Sequence, residues 1–208
     1  MTGDDLRIAC GIAAVIIGLA GYAPYFYGIY KQRTRPHVFS WFIWGVLTGI
    51  AFAIQIKSGA GAGAWITGFT TLACLTIAAV ALRHGEKTIT RSDWLTFIAA
   101  MASIPLWLLT KDPLYSVLLI SVIDALGFYP TFRKTWHKPW EETLISHFMN
   151  GAKWIFALAA LEQISMNTAF YPFTLVFLNF AFVALALWRR QALGSVDNHL
   201  SQMRVAAR

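Results

Sequence analysis

Apolar residues run along this chain in long blocks separated by short polar, mostly basic stretches, and do not form the one-sided stripe of a helix lying on a soluble core. A helix needs about 20 apolar residues to cross a bilayer. Seven blocks approach that length: Leu6–Tyr30, Val38–Ile56, Ala60–Leu82, Trp94–Thr110, Leu114–Phe132, Leu144–Leu161 and Thr168–Trp188. They predict an all-α membrane protein with seven transmembrane helices. No interval between them is long enough for a soluble domain, and the polar, mixed stretch 191–208 reads as a flexible cytoplasmic tail. Asp4 and Asp5 stand where a signal peptide carries basic residues, so the first block is expected to be a retained helix and not a cleaved leader.

The pattern repeats at an offset of 106 residues. Gly21-Tyr22-Ala23-Pro24-Tyr25-Phe26 matches Gly127-Phe128-Tyr129-Pro130-Thr131-Phe132, and Ser40-Trp41-Phe42-Ile43-Trp44-Gly45 matches Ser146-His147-Phe148-Met149-Asn150-Gly151. A fixed period marks a duplicated structural unit. The repeat equates blocks one to three with five to seven and leaves the fourth, with Asp93, Pro105 and Trp107, unmatched. Three spans leave the chain on the far side, so a second identical unit would insert upside down, and one extra span restores its orientation. The expected organisation is a 3+1+3 arrangement of two parallel bundles: residues 1–84, a linker helix within 85–113, and residues 114–190.

Composition agrees with this topology. Hydrophobic residues make up 57% of the chain and charged residues 13%, with mean hydropathy +0.55, against about 25% charged residues in soluble domains. Thirteen of the 17 Lys and Arg residues fall on one side, in the stretches around Lys31, Arg83 and Lys134 and after Trp188. Positive residues mark the cytoplasmic face, which puts the N-terminus outside and the C-terminus inside a plasma or inner membrane. The net charge of +7 is then a topology signal, with anionic headgroups as its natural partner and no need for nucleic acid. Cys10 and Cys74 lie in apolar blocks without metal-ligand spacing, so neither metal nor cofactor is expected. No dyad, P-loop or zincin motif is readable, and an enzyme is not expected.

With its 3+1+3 plan, a proline near the cytoplasmic end of the first helix of each half (Pro24, Pro130) and a basic loop after each, the chain resembles the SWEET and PQ-loop superfamily over about residues 8–190. Tyr25 and Thr131 stand where the name-giving motif has Gln, and the second helix of each half lacks an internal proline. The resemblance implies transport of sugars or other small solutes by rocking of two three-helix bundles. It also implies a pocket pairing the small hydroxyl of Thr48 with Trp154, and an Asn at the depth of Asn179 that holds substrate.

The residues themselves point to a site in the second helix of each half. Trp41, Trp44 and Thr48 share one helical face, and their repeat equivalents are His147, Asn150 and Trp154. Trp44, Thr48, Asn150 and Trp154 are candidate ligands for a small polar solute, with an interfacial belt as the bland reading, above all for Trp41. Asp124 lies 11 residues from Pro113, about 16 Å, and Lys153 lies 10 from Thr143, about 15 Å, so both sit near the midplane. Charges there either pair or line a watery path. The alternatives are a structural ion pair, contact with a charged solute or proton, and a snorkelling Lys153. Asn179 is a further candidate, against an interhelical hydrogen bond. Pro24 and Pro130 are candidate hinges and His147 a candidate gate residue, against static kinks and a wall histidine. Gly45 and Gly49, and Gly59 and Gly63, read as close-packing GxxxG pairs. The expected function is transport of a small polar solute by alternating access, with a possible homo-oligomer left open. The alternative is a ligand-binding receptor or sorting protein of the same fold.

Overall fold

The structure, a computed structural model, describes residues 2–32, 36, 38–85, 91–102, 105, 109, 112–137, 139–141 and 144–206. Trp107 and the basic residues Arg33, Arg35, Lys87, Lys111 and Lys138 lie outside the described residues, as do the side chains of Asp93 and Pro130. The described chain is all helical, with seven α-helices and no strand: α1 (Gly3–Tyr30), α2 (Val38–Lys57), α3 (Trp65–His84), α4 (Arg91–Met101), α5 (Pro113–His137), α6 (Leu144–Ala159) and α7 (Met166–Ala206). Each apolar block overlaps one of them, and α4 ends at Met101 within the block Trp94–Thr110. α7 continues as helix through 191–206, the stretch read from sequence as a tail.

Four segments are long and apolar enough to cross a membrane: Gly3–Tyr30, Val38–Lys57, Gly61–His84 and Met166–Gly194. The apolar part of α5, Pro113–Phe128, and the 16-residue α6 are shorter. α1 shows the sidedness of a membrane helix most clearly. It buries Gly11, Ala14 and Gly18 and exposes Ile8, Ile12, Ile16 and Leu19. In water the large aliphatic side chains would be inside. In lipid there is no gain from hiding them, and small residues let neighbouring helices approach. The protein is therefore an all-α integral membrane protein. Thr2 and Asp5 form a reciprocal capping box at the start of α1, which accounts for the acidic residues there.

The helices pack in a doubled pattern. α3 packs against both α1 and α2, and α7 against both α5 and α6. Across the halves α1 packs on α6 as α5 does on α2, and α3 on α6 as α7 does on α2. Exchanging α1–α3 for α5–α7 turns every one of these contacts into another of the set. α4 lies against α2 and α5. The repeated glycines explain part of the pattern. A Cβ on Gly45 would meet the Leu75 side chain of α3 at 2.6 Å, and one on its equivalent Gly151 would meet the Phe180 ring of α7 at 2.7 Å. Both mark where the second helix of a half crosses the third.

Gly45 and Gly49 do face α3, whereas Gly59 and Gly63 are not a helical pair. Gly59 (φ +72°) and Gly61 (φ +57°) hold left-handed backbone in the α2–α3 turn, and Gly63 sits in the 3-10 turn Gly61–Ala64 against Leu161 and the Ala157 carbonyl. Glycine is there for φ and close approach, not for helix dimerisation. This turn docks on the α6–α7 connection: the amide N–H groups of Glu162 and Gln163 donate to the carbonyls of Ala60 and Gly59, each at 3.2 Å. Gln55, fully buried, donates to the Thr168 carbonyl at 3.1 Å. Ala60, Ala64 and Leu161 seal the joint.

Gly151→Ala forces the Phe180 ring aside, and overpacking of this kind costs about 1–3 kcal/mol. Gly127→Ala, whose Cβ meets nothing within 4 Å, leaves stability unchanged or slightly raised. Thermal melts of the two variants in detergent check the contrast, and equal midpoints would contradict the crossing-point role of Gly151.

Candidate functional site

A cavity of about 290 Å³ lies between the two halves. Every helix of both halves contributes to its wall. Six of its lining positions in the first half have their repeat equivalent in the wall too: Gly18 with Asp124, Gly21 with Gly127, Tyr22 with Phe128, Trp41 with His147, Trp44 with Asn150 and Thr48 with Trp154. The duplicated backbone thus builds one chamber from two copies of the same surface. Its deep end is formed by Trp154, Thr48 and Tyr171, all buried. Its other end reaches exposed Ser146 and half-buried Tyr25 and Trp41, where α1 ends and α2 and α6 begin. The cavity opens toward that end, and the docked turns lie beyond the opposite one.

The expected site residues divide accordingly. Trp44, Thr48, Asn150, Trp154, Asp124, Lys153 and His147 all line the cavity. Thr48 spends its hydroxyl proton on the Trp44 carbonyl of its own helix, at 2.6 Å. Asn179 does not line the cavity. It is fully buried behind His147, its side-chain amide donating to the Leu175 carbonyl at 2.8 Å and its oxygen 3.3 Å from His147 Nδ1. The interhelical hydrogen bond is thus the geometry observed for Asn179, which supports His147 together with the Phe182 ring at 4.0 Å. Pro24 is exposed on α1, whose helix runs on to Tyr30 without a break, and it does not reach the cavity. Pro130 lies within α5 by its backbone. Trp41, for which an interfacial belt is the alternative reading, faces the cavity, and its indole N–H donates to the Tyr25 hydroxyl at 2.9 Å.

The two charges face the cavity separately. Asp124 is 4% exposed and accepts from the Tyr171 hydroxyl at 3.0 Å. Lys153 is 3% exposed, so it does not snorkel, and its ammonium lies 4.9 Å from the Tyr22 ring centre and 5.2 Å from that of Trp154. Among the described residues no ion pair joins it to Asp124. A desolvated cation–π contact is worth about 2 kcal/mol, less than the several kcal/mol needed to take an ammonium out of water. The aromatic faces orient Lys153 without replacing its lost hydration.

Tyr22, Tyr171, Cys74 and Thr70 are wall residues that the sequence reading passed over. Tyr22 had a signal: it sits inside the repeated Gly-aromatic pair and one turn below Gly18. Its hydroxyl lies 3.8 Å from the Cys74 sulfur. Tyr171 carried no signal, because only the folded chain brings α7 to Asp124. Comparison of the chain with protein families, with curated proteins and with solved structures finds no match.

Because no direct ion pair joins Lys153 to Asp124, Lys153→Met is expected to change the melting temperature little. A loss of about 3–5 kcal/mol, the usual cost of breaking a buried ion pair, would contradict the geometry. Tyr171→Phe, which strips a donor from a buried carboxylate, should cost about 1–3 kcal/mol and much less in an Asp124→Leu background. Denaturation of the four proteins in a double-mutant cycle checks this.

Proposed function

We propose that the protein is a seven-span membrane transporter that moves a small polar solute by alternating access between two three-helix bundles, α1–α3 and α5–α7, with α4 as the linker of a 3+1+3 arrangement. One observation carries the reading: a cavity between the halves, walled by repeat-equivalent positions, open toward one end and closed toward the other by two docked turns. A chamber of this size suits a small metabolite. Parallel repeats with the site between them are a common plan for moving a solute across a bilayer.

In this reading the basic end is cytoplasmic and the open end of the cavity faces the cytoplasm. Release to the other side requires the 59–60 and 162–163 segments to part. Two backbone hydrogen bonds and the Gln55–Thr168 bond, at about 1 kcal/mol each, and one small apolar cluster hold them. That is in the range of the few kcal/mol that separate interconverting states. Closure of the open end would draw Tyr25 and Trp41 toward His147 across the mouth.

Reconstituted vesicles incubated with a mixed pool of sugars, nucleosides, amino acids and organic acids should trap at least one solute, read by mass spectrometry after washing. Protein carrying Ser58→Cys and Ile164→Cys, one cysteine on each docked turn, and joined by a short reducible thiol cross-linker should lose transport and regain it on reduction. Uptake equal to wild type in the cross-linked protein would contradict alternating access. Tags at the two termini should be reached from opposite sides of the membrane, and same-side access would contradict the seven-span order.

A further inference from the structure

Lys153 is the one buried cation of the cavity wall among the described residues, and it is left without a hydrogen-bond acceptor. Its ammonium touches two aromatic faces, Tyr22 from the first half and Trp154 from its own helix. Asp124, on the same wall, is served differently: Tyr171 donates to it. The cavity therefore supplies a donor to its anion and no acceptor to its cation. A buried polar group left unsatisfied is costly, and a buried charge more so. Lys153 lines the cavity, so a solute entering the chamber can bring it an anionic oxygen.

We propose that Lys153 is the docking point for a carboxylate, and that the cavity takes small carboxylate-bearing solutes in preference to neutral sugars. The choice among anions follows from Asp124. A phosphate or dicarboxylate would bring a second negative charge into a chamber that already holds one. A monocarboxylate adds only the charge that Lys153 offsets. A zwitterion with a carboxylate and an ammonium group compensates both wall charges at once, so amino-acid-like solutes are expected to bind best and simple monocarboxylates next. The asymmetry of the repeat fits this class. Lys153 and Asp124 replace Leu47 and Gly18 of the first half, so the chamber has one cationic and one anionic wall position and a fixed polarity for its solute.

This inference rests on the cavity being the solute site, and binding in detergent separates it from the transport reading. Purified protein is melted with separate pools of amino acids, monocarboxylates, dicarboxylates, neutral sugars and primary amines. The amino-acid and monocarboxylate pools should raise the midpoint, and the sugar and amine pools should not. For the strongest single binder, Lys153→Met should weaken affinity about tenfold or more, the scale of a lost charge-assisted hydrogen bond, and Lys153→Arg should retain most of it. A shift with sugars or amines but with no carboxylate pool would overturn the proposal. So would carboxylate binding that survives Lys153→Met unchanged, or the absence of a shift with any pool. Carboxylate binding in a protein that shows no flux in vesicles would leave the site standing and count against transport alone.

Discussion

A charge without a partner in an apolar bundle has to be reached by water or by a solute, and that constraint organises this protein. Lys153 and Asp124 both sit in the interior, near the middle of their helices, yet they form no direct ion pair. The Coulombic gain of a direct pair would have been the simplest way to offset their desolvation. Instead the Tyr22 and Trp154 rings hold one, the Tyr171 hydroxyl holds the other, and both face the chamber from neighbouring helices of the second half. The cavity is thus the place where the energetic debt of two buried charges is met.

Duplication supplies the backbone of that chamber and divergence supplies its chemistry. Gly45 and Gly151 keep the same crossing in both halves, and Gly21 and Gly127 both leave open space at the wall. Around these fixed points the paired positions have parted: Gly18 opposite Asp124, Trp44 opposite Asn150, Thr48 opposite Trp154. A symmetric wall would suit a symmetric, neutral solute. An asymmetric one fixes the orientation of what it holds.

Much of the architecture was legible in the sequence because apolar length and the 106-residue offset are properties of the chain itself. Six helices fall on the expected blocks, α4 covers only the first part of the fourth, and four segments are long and apolar enough to span; the face containing Trp44, Thr48, Asn150 and Trp154 does reach the cavity. Other features depend on tertiary placement. Asn179 has the right depth but the wrong rotation about α7, so it buttresses His147 from behind. Gly59 and Gly63 have helical spacing but lie in a turn whose left-handed φ values only the folded backbone shows. The matched depth of Asp124 and Lys153 suggested a pair, since sequence gives height along a helix and not direction around it. The docking of 59–60 on 162–163 joins two turns about a hundred residues apart and had no sequence signature.

The central claim is that this docked end opens while the cavity mouth closes. Spin labels at Ser58 and at exposed Ile164, one on each docked turn, report that distance in a bilayer. The account predicts two distance populations, one matching the docked turns and one longer, whose proportions change when a binding solute is added. A single short distance that stays unchanged with and without solute would contradict it.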